Sequence, residues 1–236
     1  MDKEIAAVIT GRPMSYDEVV KYFGEKLELT PKAFAALADQ YKTFAFTVGG
    51  YNDLQVIKAF QAKLTEAIAN GTTLRDFRQE MDELLAVKGY DPADPWAMDN
   101  VFRTNLQTAY NVGAYQQMTA PAVLAARPYW QYDAVDDGRT RENHLALDGA
   151  VYPADSPIWD SIYPPNGFRC RCAVSSLSQR EVDRRGLKVE TDPPLVQPDT
   201  GFATNPAKIP FKPDLEGFPP SLVKAYEQRA ARMAQA

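Results

Sequence analysis

Proline is spread so unevenly along this 236-residue chain that its two ends cannot be built the same way. Of 18 prolines, 12 lie from Pro153 onward, and eight of those fall between 191 and 220. Each one fixes φ and removes a backbone donor, so long helices belong to the earlier part of the chain.

That earlier part carries helical punctuation. Ser15 is placed to cap a segment running to about Lys26, with Tyr16, Val19, Val20, Phe23 and Leu27 at helical spacing. Thr30-Pro31 offers a cap and first-turn proline for a second helix through Ala33, Phe34, Leu37 and Ala38. Asn52 or Asp53 opens a third, with a stripe of Ile57, Phe60, Leu64 and Ile68 that closes near Asn70-Gly71. Thr73 starts a fourth, with Leu74, Phe77, Met81, Leu84 and Leu85 facing a core and Gly89 ending it. Asp94-Pro95 begins a longer fifth helix that runs to about Met118.

From Pro128 the periodicity changes. Tyr129 to Tyr132 alternates as a strand does, and Asp136-Asp137-Gly138 marks a turn. A short helix is expected from Thr140 to Leu147, ended by Asp148-Gly149. Short strands are expected at Val151-Tyr152 and from Arg169 to Ser175, with Pro164-Pro165-Asn166-Gly167 turning between them. Ser178 caps a helix to Arg185, an extended tail follows from about Thr191, and a terminal helix is expected over 221–235. The pattern predicts a mainly helical α+β protein. It divides into a helical region (1–127), a small mixed motif domain with short strands (128–190) and an extended proline-rich tail (191–236).

Charge narrows the function classes. Twenty-six basic side chains face 31 acidic ones, a net charge of −5, which excludes a nucleic-acid coat acting by bulk charge. The excess acid lies in residues 1–99, whereas 139–186 is near neutral and all its basic residues are arginines. Mean hydropathy is −0.39 and no apolar run reaches membrane-span length, so no membrane anchor is expected. The first residues contain no apolar core of signal-peptide length, which predicts an intracellular protein.

The chain has one histidine, His144, and two cysteines, both in Cys170-Arg171-Cys172. A disulfide framework and any two-histidine mechanism within one chain are thereby excluded. On an extended strand Cys170 and Cys172 would share a face, with Arg169 and Arg171 on the other. With His144 they make a Cys2His set for zinc, with a fourth ligand from Asp137, Asp148 or water. The alternative is that the cysteines are buried small hydrophobes and His144 an ordinary hydrogen-bonding side chain. The layout does not favour catalysis. A zinc deaminase needs a glutamate two residues after the histidine and a Cys-x-x-Cys pair, and here that position is Ala146. Arg139, Arg141, Arg169 and Arg171 either form a phosphate-binding face or pair with Asp136, Asp137, Asp148 and Asp160, and the near-neutral balance favours the pairs. Arg103, Thr104, Asn105, Thr108 and Asn111 give the long helix a polar stripe on which the motif domain could dock.

Several motifs recur here in a fixed order. Arg103-Thr104-Asn105 comes first, then Arg127-Pro128-Tyr129-Trp130, Arg139-Thr140-Arg141 with His144 and Asp148-Gly149, and Asp155 with Trp159. The set closes with Pro164-Pro165-Asn166-Gly167-Phe168-Arg169-Cys170-Arg171-Cys172. Together these resemble the phage Mu F-like minor head proteins, also called phage head morphogenesis proteins. Ala45-Phe46-Thr47-Val48 and, in the tail, Gly201-Phe202 with Asn205-Pro206 are similar to the Mu-type branch. The resemblance implies a non-enzymatic virion component acting in head assembly. It would lie inside the head, and in the host cytoplasm during assembly. Its implied partners are the portal protein and other head proteins, with DNA contact and ejection with the genome in some relatives. It carries the family's histidine and Cys-x-Cys onto His144, Cys170 and Cys172, and raises the expectation of a structural zinc. The short form without a fused toxin domain is expected. The alternative from another class is a zinc-dependent hydrolase or nuclease acting on DNA as the genome is packaged or enters a host.

Overall fold

The computed structural model describes residues 17–37 and 45–208, together with Lys42 and positions 220, 223, 224 and 227. Helix α1 (Asp17–Gly24) leads to β1 (Leu27–Glu28), which pairs in parallel with β2 (Ala45–Phe46) across the short α2 (Pro31–Ala35). Leu27 therefore belongs to a strand rather than to the first helix, and Ser15 lies outside the described residues. Thr30 caps α2 by accepting from the Ala33 amide at 3.3 Å, but the helix ends at Ala35.

Three longer helices follow where their caps place them. Asp53 accepts from the Gln55 amide at 2.8 Å to start α3 (Leu54–Asn70). Gly71 stops it at a φ of 69°, in the left-handed region that a Cβ disfavours. Thr73 caps α4 (Leu74–Val87), and Asp94 with Pro95 opens α5 (Pro95–Met118). Their apolar stripes meet in one core containing Phe23, Phe46, Ile57, Phe60, Leu64, Phe77, Met81 and Leu85, extended along α5 to Phe102 and Ala109. Edge-to-face and tilted ring pairs run through it, from Tyr51–Phe60 at 5.4 Å to Phe77–Phe102 at 5.1 Å.

The far end of α5 enters a second core. After α6 (Pro121–Ala126), which carries no side-chain cap, the chain forms β3 (Tyr129–Asp133), central in an antiparallel sheet of order β4–β3–β5. Strand β4 is Val151–Pro153 and β5 is Ala173–Leu177; Trp130 lies opposite Tyr152 on one side and Ser176 on the other. Alternation sends Trp130 and Tyr132 to one face, where Trp159, Ile162, Tyr163, Cys170 and Cys172 join them. The one-turn helix α8 (Trp159–Ile162) supplies Trp159 to this face. Val151, Leu177 and Val182 fill the other face, which α9 (Gln179–Arg185) covers.

Ser178 and Glu181 cap α9 reciprocally, and Glu181 also holds Arg127 at 3.0 Å. The Ser178 amide and hydroxyl and the Arg127 guanidinium bring the Glu181 carboxyl down to about 2. Because the folded value lies below the unfolded one, this carboxylate's contribution to stability is complete above about pH 4.5. It is lost as pH falls through about 2. Glu181→Gln should therefore flatten the acid limb of a stability profile between those values, as measured by denaturant melts.

Between α9 and Lys208 the described residues form no helix or strand, but they are packed. Val189 bridges to Val151, Val196 lies against the second core, and the Asn205 side chain donates to the Trp159 carbonyl at 3.0 Å. The expected terminal helix over 221–235 falls almost wholly outside the described residues, where positions 223, 224 and 227 are helical.

Candidate metal centre

The histidine sits on an excursion clipped at its base. Between β3 and β4 the chain leaves the sheet at Ala134, whose amide donates to Asp148 at 2.8 Å. It returns at Gly149, whose amide donates to the Tyr132 carbonyl at 2.9 Å. Gly149 takes a φ of 75° to make that return. Inside the excursion Asp137 folds the 137–140 turn, accepting from the Arg139 amide at 2.9 Å. The one-turn helix α7 (Glu142–Leu145) follows and presents His144 inward, 2% exposed.

The cysteines come from the segment before β5. An extended strand from Arg169 to Ser175 is not what forms: β5 begins at Ala173, and Cys170 and Cys172 precede it in an unpaired stretch. The reason lies at Arg169, whose φ of 58° is incompatible with a strand. That left-handed conformation costs roughly 1–2 kcal/mol in a residue with a side chain. Contacts from α5 hold it. Thr104 accepts from the Arg169 amide at 3.0 Å, and Asp99 pairs with its guanidinium at 2.6 Å.

Despite the lost strand, the sulfurs converge on the histidine. One ligand atom each from His144, Cys170 and Cys172 lies within 4.8 Å of the other two, and all three residues are buried. His144 Nδ1 is 3.7 Å from Cys172 Sγ, and the imidazole also hydrogen-bonds Cys170. The Tyr132 side chain is buried in the same core as both cysteines and acts on the Cys172 thiol. Asn166 completes the network by donating from Nδ2 to the Tyr132 hydroxyl at 2.9 Å. Cys170 is pushed down because Cys172 donates to it, and Cys172 is pushed up by making that bond. Tyr132 is pushed up by burial and stays a donor. Tyr132 and Asn166 carried no sequence signal of this role, since one reads as a core aromatic and the other as a turn residue.

The carboxylates expected beside this cluster are engaged elsewhere. Asp137 receives both Arg171 terminal nitrogens, at 2.7 and 2.5 Å, and this fork holds its carboxyl well below the usual carboxylate range. Asp148 caps the base of the excursion, as described above.

Each of the four arginines has an acidic partner. Arg139 and Arg171 share Asp137, Arg169 meets Asp99, and Arg141 meets Asp199 at 3.3 Å. Asp99 and Asp199 lie outside the set named from sequence, while Asp160 pairs with Lys208. The polar stripe of α5 does meet this unit, through its Thr104 and Asn111 and through Gln107, which was not among its named residues. Gln107 and Asn111 both donate to the Cys172 carbonyl, at 3.0 and 3.2 Å, and Tyr163 donates to the Asn111 carbonyl at 2.8 Å. Thr104 binds Arg169, whereas Arg103 pairs with Asp99 on its own helix and Asn105 bonds the Val101 carbonyl.

Gly167 allows the closest approach in this region. A Cβ there would sit on the Asp199 carboxylate and lie 3.2 Å from Arg141. Gly167→Ala should displace Asp199 and cost about 1 kcal/mol, the upper end for a half-exposed ion pair. In a double-mutant cycle with Asp199→Ala, the two losses should sum to more than the double variant shows.

The family model described as "Phage Mu protein F like protein" matches residues 58–175, from α3 into β5 and across all three cluster residues. The Mu-like prophage FluMu F protein of Haemophilus influenzae is 37% identical over 159 residues, covering 62% of this chain and 38% of the relative. Capsid assembly protein F of Escherichia phage Mu is 33% identical over 189 residues, covering 73% of this chain and 42% of the relative. The chain thus spans about two fifths of the length of these relatives. No solved structure matches it. A match over half the chain, running through the helical core and the His-Cys-Cys cluster alike, places the chain in the family of phage Mu protein F like proteins.

Proposed function

We propose that the chain is a phage head protein acting in head morphogenesis, through contacts with the portal and other head proteins. The observation that carries this reading is the family match across 58–175, together with a relative named for capsid assembly. The cluster supports a structural rather than a catalytic role. Its three residues are buried, packed against one another and, in the same core as the two cysteines, against Tyr132. A substrate would have to displace that packing to reach them. The arginine pairs with Asp99, Asp137 and Asp199 favour protein partners over DNA, because phosphate would compete with carboxylates already in place.

Co-expression of the tagged chain with the portal and major head proteins of its phage tests this. Retention of the portal protein through a high-salt wash is the expected result. Cleavage of double-stranded DNA by the purified chain, abolished by His144→Ala with the fold intact, would instead establish the nuclease alternative.

A further inference from the structure

We propose that His144, Cys170 and Cys172 bind one zinc ion, and that this ion clasps the 134–150 excursion and the segment before β5 against α5. In a tetrahedral zinc site with bonds of about 2.0–2.3 Å, neighbouring ligand atoms sit about 3.5–3.8 Å apart. The 3.7 Å approach of His144 Nδ1 to Cys172 Sγ has that separation, and the remaining pair distances fall within 4.8 Å. Two thiolates and an imidazole form a soft donor set suited to zinc, whereas the hard cations magnesium and calcium take oxygen ligands.

Two features beyond the cluster itself point to a bound cation. The first is a hydroxyl donor. Tyr132, whose hydroxyl is held by Asn166 Nδ2 at 2.9 Å, is buried in the same core as both sulfurs, and a hydroxyl donor beside them favours negative charge there. Without a cation, two adjacent buried thiolates would repel each other at low dielectric. The second is unpartnered polar atoms in a closed interior. His144 Nε2 and Asn166 Oδ1 are both buried with no hydrogen-bond partner, and Asn166 is tied through Nδ2 to Tyr132, which is buried in the same core as both cysteines. A zinc-bound water is a donor and needs such an acceptor, so the fourth position falls to a water held by Asn166 Oδ1.

The clasp follows from connectivity. His144 brings the excursion, and the cysteines bring the segment ending in β5. The Cys172 carbonyl receives Gln107 and Asn111 from α5. An ion at this point joins parts of the chain that lie far apart in sequence.

Elemental analysis of the full chain, purified without chelator, should find one zinc per chain. Cobalt substituted for zinc should show thiolate-to-cobalt charge transfer and tetrahedral ligand-field bands. Cys170→Ser should abolish stoichiometric binding. Tyr132→Phe, which keeps the ring, should weaken zinc binding by about 10–100-fold, as loss of an outer-shell hydrogen bond does. To separate metal loss from misfolding, the wild-type chain is stripped with chelator and reloaded. Amide exchange at 140–150 and 166–173 should quicken on stripping and return on adding zinc. Absence of metal in the purified chain, with no uptake of zinc or cobalt by the stripped one, would overturn the proposal. So would iron or copper at unit stoichiometry.

Discussion

Trp130→Ala should destabilise the chain by about 3–5 kcal/mol, the range for removing a large aromatic side chain from a core. Trp130 is 1% exposed on the central strand of its sheet. Its ring meets Tyr115 at 5.4 Å, Trp159 at 5.6 Å and Tyr163 at 6.1 Å, so its removal opens a cavity bordered by α5, β3 and α8. Those rings belong to stiff neighbours tied by hydrogen bonds, Tyr163 to the Asn111 carbonyl and Trp159 to the Pro153 carbonyl. The cavity can therefore collapse little, which puts the cost toward the upper end. Trp130→Phe should cost less than half as much. It keeps most of the ring contacts and removes an indole N–H that is buried without a partner. Urea melts of the two variants check the ranking.

Phe60→Ala should produce a loss of similar size, about 3–5 kcal/mol, from the other core. Phe60 is 1% exposed at the centre of α3, with Tyr51 at 5.4 Å and Phe77 at 6.4 Å. It shares no core neighbours with Trp130, since the two belong to separate clusters at the two ends of α5. Their costs should add to within about 0.5 kcal/mol in a double variant. The sum approaches the whole stability of a typical domain, about 5–15 kcal/mol, so the double variant should be largely unfolded at 25 °C. Far-ultraviolet circular dichroism of the three variants measures this. A double variant as stable as either single one would mean that the two cores are coupled through α5.

What the sequence made legible is local. Asn52-Asp53, Thr73, Asp94-Pro95 and Ser178 each mark a helix start, because a cap needs only a side-chain acceptor two or three residues from an amide. The alternation in β3 likewise points Trp130 and Tyr132 to one face. The site was legible in its residues but not in its geometry. His144, Cys170 and Cys172 could be named from their scarcity, yet the strand assigned to the cysteines fails at Arg169. Its conformation is fixed by Thr104 and Asp99, 65 and 70 positions away. The same holds for Arg141 with Asp199 and for Asn111 with the Cys172 carbonyl. Each is a tertiary contact with no spacing in the chain to signal it. Helices α6 and α8 were missed because the first has no side-chain cap and the second is a single turn.

The reading of the chain as a head protein is tested most directly in the particle itself. Mass spectrometry of purified heads should find this chain in particles of the phage that encodes it. Deleting its gene should remove infectious heads, and supplying the wild-type chain from a plasmid should restore them. Heads that lack the chain and remain fully infectious would contradict the account.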